Sequence, residues 1–185
     1  MAIDLCTEQT YVPPTSIWGS SYTDLQMFYQ HYFAEKRASG ISWGVHESLS
    51  EPEKDDLYQR LLYSVGMVDS DFLFDSLLRS RIKDIRVMGL SDNTLTYNRK
   101  KGFSNIYESR SNAASKNQHK ITAISNRIRD AFGHGRFSTK NGFVLIEDKR
   151  KDITGRIILM PNDLIVWKGE IESFLTEHDF SIPCV

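Results

Sequence analysis

Cysteine is almost missing from this chain: its two residues, Cys6 and Cys184, stand near opposite ends. Without a C-x-x-C spacing they make neither a disulfide framework nor a zinc knuckle, and reduced thiols in a cytoplasm fit them best. Long apolar runs are missing too. No stretch approaches the roughly 20 residues of a membrane span, and the N-terminus has no basic region followed by an apolar one, so a soluble, cytoplasmic protein without a membrane partner is expected. Neither sign of charge is in excess, since 23 Lys and Arg stand against 24 Asp and Glu for a net charge of −1. No global positive field draws in nucleic acid, and any RNA contact must rest on a local basic patch. G-x-G-x-x-G, Walker and G-x-S-x-G patterns are also lacking, which leaves nucleotide-dependent transfer and serine hydrolysis without support and implies no cofactor. His46-Glu47 lacks the second histidine of a zincin, and His31, His119 and His178 have no ligand-type neighbours at metal spacing. No metal is expected.

What is present describes an ordinary globular chain. Its 185 residues are 40% hydrophobic and 25% charged, enough for one domain with a core. Residues 1–19, with Pro13-Pro14 and Gly19, read as an extended arm, because successive prolines disfavour helix. A single domain is expected over residues 20–180. From Thr23, the apolar positions Leu25, Phe28, Tyr29, Tyr32 and Phe33 fall on one helix face, with Gly40 as the latest end. Ser50-Glu-Pro-Glu53 is a capping box opening a helix through Leu57, Leu61, Leu62 and Val65. A third helix is expected after Ser70, through Phe72, Leu73, Leu77, Leu78 and Ile82. Residues 89–115 are polar, include Gly89 and Gly102, and read as a loop too long for a plain connector.

A fourth helix is expected from about Ser115 to Phe132, burying Ile121, Ile124, Ile128, Ala131 and Phe132, with Gly133 and Gly135 stopping it. Asn141-Gly142 then marks a hairpin between Phe137-Ser-Thr-Lys140 and Phe143-Val-Leu-Ile-Glu147. A third strand is expected near Arg156–Met160, so residues 136–160 form a small β appendage. Pro161-Asn162-Asp163 opens a closing helix carrying Leu164, Trp167, Ile171, Phe174 and Leu175. The fold class is mainly α, a helical bundle with a β-hairpin or three-strand appendage after the fourth helix.

The run Arg127-Ile-Arg129-Asp130-Ala-Phe-Gly-His134-Gly-Arg136-Phe137 carries the chemistry. Its Arg129 and His134, with four residues between them, resemble the Arg-x(4 to 6)-His signature of the HEPN family, small helical proteins many of which are metal-independent ribonucleases. The His-Gly-Arg-Phe continuation and the following hairpin add to the likeness. The resemblance implies a HEPN-like bundle, an RNA substrate and a homodimer, with Arg129 and His134 catalytic. It also implies a toxin-like or anti-phage effector held back until triggered, with an antitoxin or regulatory protein as a further partner. Arg127 also lies within the motif's tolerance and competes with Arg129. Asp130 fills the polar place that often follows the family's arginine, where it serves as a supporting acceptor. The branch that continues His-x-Tyr would have tyrosine at 136, and this chain has Arg136.

The side chains suit such chemistry. Histidine titrates near neutrality and can take or give the proton of a ribose or a departing oxygen. Arginine presents a planar fork to a phosphate and keeps its charge. On an ideal helix, however, Arg129 and His134 fall on opposite flanks of the buried stripe. Either the helix breaks at Gly133 and His134 swings round, or two chains assemble the site across a two-fold axis. Lys116, Lys120 and Arg127 form a stripe leading toward His134 and, with Arg136, are the candidate RNA contacts. Arg99-Lys100-Lys101, flanked by Tyr97 and Phe103, is a second basic cluster. The plainer alternative is an Arg and a His that merely face the last carbonyls of their helix. A HEPN dimer without activity, binding RNA, nucleotide or protein, is then the rival function.

Overall fold

The computed structural model describes residues 10–33, 44–67, 72–75, 106–109, 119–140, 142–149 and 153–180. The described elements are mainly helical, with a sheet beside the helices. Among the described residues no helix is long and apolar enough to cross a membrane. Gly40, Leu77, Leu78, Ile82, Gly89, Gly102, both cysteines, Lys116 and the 97–103 basic cluster lie outside them.

The expected arm ends early. Helix α1, Thr15–Trp18, follows directly on the two prolines, and a 3₁₀ turn, Gly19–Ser21, continues it. Proline is tolerated in a helix's first turn, where its missing N–H has no intrahelical role. So Pro13-Pro14 introduce a helix here rather than excluding one. Helix α2, Tyr22–Gln26, passes into a π-helical segment, Met27–Phe33. The wider turn places Phe28 and Phe33 parallel at 6.0 Å, and with Leu25 and Tyr29 they are buried, as the helical spacing predicts.

Helices α3, Val45–Ser48, and α4, Glu51–Ser64, follow. The capping box forms as expected: the Ser50 N–H and hydroxyl both donate to Glu53 Oε2, at 2.7 and 2.6 Å. Leu57, Leu61 and Leu62 face inward. Residues 72–75, expected as part of a third helix, instead form strand β1, Phe72–Asp75, parallel to β2, Ile106–Ser109. β2 in turn lies within the segment expected to be a long polar loop. Short apolar runs fit helix and strand alike, and pairing distant in sequence decides between them.

Helix α5, Lys120–His134, carries the motif. It begins later than Ser115, because His119 is extended (ψ 146) and caps the helix, its ring Nδ1 accepting from the Ile121 N–H. All five of the predicted apolar residues are buried. The expected hairpin is β3, Phe137–Lys140, and β4, Phe143–Lys149, with Gly142 at φ 80 in the turn. Strand β5, Ile153–Leu159, starts before Arg156 and completes the antiparallel trio. The sheet order is β1-β2-β5-β4-β3, five strands rather than three. Nor is it an appendage. Phe137, Val144, Ile146, Ile157 and Leu159 belong to the same core as the helices.

Helix α6, Asp163–Glu177, closes the core with Leu164, Trp167, Ile171, Phe174 and Leu175. Trp167 Nε1 donates to the Leu61 carbonyl at 2.7 Å, locking α6 to α4. Around the end of α5 the rings interlock. Phe132 lies 4.9 Å from Phe137 and 5.7 Å from Trp18, and Tyr29 stacks on it at 5.9 Å. Each such buried ring contributes about 1.5–3 kcal/mol, so the last turn of α5 stands on a firm base.

Candidate functional site

The site begins with how α5 ends. Glycine at 133 was expected to stop the helix, but the helical backbone runs through Gly133 and His134. Gly135 alone terminates it, at φ 63 and ψ 33, with its N–H donating to the Ala131 carbonyl. A side chain there would be strained by about 1–2 kcal/mol, whereas Gly133 is ordinary helix. A Cβ at 133 would meet only Gln30 Nε2, at 3.4 Å.

Because the helix is unbroken, Arg129 and His134 are separated by about 140° around its axis and about 7.5 Å along it. The chain does not bring them together by kinking. His134 is exposed in the last turn. Arg129 is buried, 9% exposed, and bends across the outer surface of its own helix. Its Nε donates to Asp130 Oδ1 at 2.9 Å, Nη2 donates to the same oxygen, and Nη1 donates to Asn126 Oδ1 at 3.1 Å. Asn126 escaped the sequence reading. Its signal was its place three residues before Arg129, where helical side chains meet.

Asp130 is thus the hub of the motif. It grips Arg129, and it precedes His134 by four residues and follows Arg127 by three, the two spacings that make neighbours on a helix surface. Arg127 is half-buried and lies about 20° from His134 around the axis. Lys120 continues that line seven residues back, but its Nζ sits 5.3 Å from the centre of the Tyr58 ring. The cation is therefore packed on α4.

Beyond the helix, Arg136 is half-buried at the entry to β3. Its N–H donates to the Ala131 carbonyl and its carbonyl accepts from the Glu147 N–H at 3.1 Å. That bond sets Arg136 across from Glu147 on β4, and Glu147 pairs in register with Arg156 on β5. Glu147 is fully buried, and its Oε1 accepts from the Tyr11 hydroxyl at 2.6 Å. The neighbouring Val12 N–H donates to the Phe137 carbonyl at 2.8 Å, so the arm is laced to the edge strand two residues after Arg136's own neighbour, Gly135. The hairpin pattern marked Glu147 only as the end of a strand. A carboxyl in an otherwise apolar run was the one available signal.

Of the remaining histidines, His31 is exposed and the three others have structural partners. His46 is buried with Nδ1 3.0 Å from the Phe33 carbonyl. His119, besides capping α5, has Nε2 3.0 Å from Asp55 Oδ1. His178 Nδ1 is 3.6 Å from Glu53 Oε1. Among the described residues no group of three or more His, Cys, Asp or Glu is arranged to hold a metal ion. Comparison of the chain with protein-family models, with curated proteins and with solved structures found no match in any of the three.

Proposed function

We propose that the chain is a HEPN-type endoribonuclease that cleaves RNA without a metal, working as a homodimer in a toxin-like or anti-phage role. The observation that carries this reading is the unbroken α5, with His134 open to solvent and Arg129 set off on the far flank. One of the two routes by which arginine and histidine could meet, a break at Gly133, is closed. That favours the other route, assembly from two copies whose motifs face each other across a two-fold axis.

In that arrangement His134 removes the proton of a ribose 2′-hydroxyl, whose oxygen attacks the adjacent phosphorus as the bond to the 5′-oxygen breaks. The departing oxygen takes a proton from a second imidazole, that of the partner's copy of the motif, or from water. Arg129 offers its fork to the equatorial oxygens as charge builds on them. The products are a 2′,3′-cyclic phosphate and a 5′-hydroxyl end, and DNA resists because it lacks the nucleophile. Arg127, on nearly the same helix face as His134, is the candidate contact for the RNA backbone.

One observation favours a second reading. Arg129 is nearly covered and its donors are turned onto Asn126 and Asp130. An arginine so engaged suits a dimer that binds RNA, nucleotide or protein without cleaving it. End-labelled RNA incubated in EDTA with the wild type and with His134→Ala separates the two. Cyclic-phosphate ends made by the wild type and abolished in a folded His134→Ala support the nuclease. Recovery of 3′-hydroxyl ends, strict Mg²⁺ dependence, or no cleavage by the folded wild type refutes it.

A further inference from the structure

We infer that Asp130 is a built-in competitor for the substrate phosphate: in the resting chain its carboxylate occupies the Arg129 fork, and RNA must displace it before Arg129 can hold a phosphate. This rests on the proposed RNA-directed function for its biological meaning. Its physical basis is independent of that reading.

Two N–H groups of the guanidinium, Nε and Nη2, converge on Asp130 Oδ1. These are the donors that a phosphate oxygen would take, since carboxylate and phosphate oxygens suit the same planar fork. Nη1 is held by Asn126 Oδ1, which fixes the fork's orientation. The pair is also shielded. The two side chains are 11% and 19% exposed, against 34% and 48% for Arg60 with Glu177 and 20% and 68% for Lys168 with Asp24. Less water means less screening, so this attraction outlasts salt that would quench the other two.

Covalent adjacency strengthens the competition. Asp130 is the next residue in the chain, so its carboxylate stands at a high effective concentration beside the guanidinium and binds with little ordering cost. A free phosphate oxygen enjoys neither advantage. Asp130 also lies between Arg129 and His134 on the outward side of α5, within one turn of each. An RNA phosphate approaching the exposed imidazole therefore meets a carboxylate first. Displacement becomes favourable only where the ligand brings several phosphates or where other cations, such as Arg127 or a second copy's arginines, draw Asp130 away. The motif is thereby restrained until a polyanion or a partner engages it.

The test is binding of a short fluorescein-labelled 2′-O-methyl oligoribonucleotide, which cannot be cleaved by 2′-hydroxyl attack, followed by anisotropy. Asp130→Asn keeps the side chain's shape and an acceptor oxygen but removes the charge that makes the bond strong. Its expected effect is binding about tenfold tighter than wild type, about 1.4 kcal/mol. In an Arg129→Gln background the same change is expected to gain less than about twofold, since the competitor acts through that arginine. If Arg129→Gln fails to fold by circular dichroism, Arg129→Lys replaces it, keeping the charge without the fork. Unchanged or weaker binding by Asp130→Asn overturns the inference. So does a tenfold gain that persists without the Arg129 fork, which would mark general charge repulsion. A gain routed through Arg129 in a protein that never cleaves RNA upholds the competitor while refuting the nuclease. Cleavage without any such gain does the reverse.

Discussion

Tyr11→Phe removes one oxygen, and the structure says where the loss will be felt. The hydroxyl donates at 2.6 Å to Oε1 of Glu147, a side chain with 0% exposure in the middle of the sheet. That length belongs to the short class of hydroxyl bonds to a carboxyl group. Deleting the donor leaves a buried acceptor one bond short, which costs about 1–3 kcal/mol. Glu147 has a further partner, so the lower half of that range applies, about 1.5 kcal/mol. The bond from the Val12 N–H to the Phe137 carbonyl is untouched, and the ring keeps its packing. With a urea slope of about 2–3 kcal/mol per molar, the midpoint falls by roughly 0.5–0.75 M. The assay is urea unfolding followed by fluorescence and by circular dichroism, with coincident curves required before a free energy is taken. Glu147→Gln and the double variant complete a cycle, in which a coupling of about 1 kcal/mol is expected. A midpoint shift below roughly 0.2 M at unchanged slope would refute the claim that the arm is fastened through this pair.

Two glycines in one turn are expected to respond with opposite signs. Gly133→Ala, in ordinary helix with only the tip of Gln30 near, stabilises by up to about 0.5–1 kcal/mol, while Gly135→Ala at φ 63 costs about 1 kcal/mol or more by thermal unfolding. Equal losses at both would show that the helix stops at Gly133 after all. Alkaline stability is set in part by Tyr29, whose hydroxyl donates to the Leu164 carbonyl at 2.6 Å and whose pKa burial holds well above the ordinary 10.0, with a smaller contribution from Glu172. Its folded pKa is raised, so its contribution is complete below pH 10 and is lost as pH climbs beyond that value, where the unfolded chain releases the proton. Tyr29→Phe should flatten that alkaline slope in denaturation curves, and an unaltered slope contradicts the burial argument.

The expectations that held were those in which local chemistry and the final fold agree. Ser50 and Glu53 cap α4 because both partners lie within one turn, and the apolar stripes of α4, α5 and α6 are buried because a 3.6-residue period admits one inward face. The hairpin around Gly142 needs only its two strands and its turn. Arg129, Asp130 and His134 were legible as a motif, since sequence spacing alone places them near the end of one helix. Their relation was also legible in part. The wheel put Arg129 and His134 on opposite flanks, and the straight helix keeps them there.

What depended on distant partners was not legible. Phe72–Asp75 became a strand because Ile106–Ser109 lies beside it, and a three-residue apolar run carries no mark of that pairing. Gly133 and Gly135 look alike in sequence, and only the approach of the π-helical segment and the left-handed turn into β3 show which one ends the helix. The roles of Asn126, Tyr11 and Glu147 arise where a guanidinium bends over its helix and where an N-terminal arm crosses an edge strand more than a hundred residues away. Composition and periodicity by themselves determined the inward faces of the helices and the place of Arg129, Asp130 and His134 near one helix end, because burial and helix pitch act within a few residues. Which groups the motif touches was decided by the tertiary structure, because hydrogen bonds and strand pairs join whatever the folded chain brings within about 3 Å.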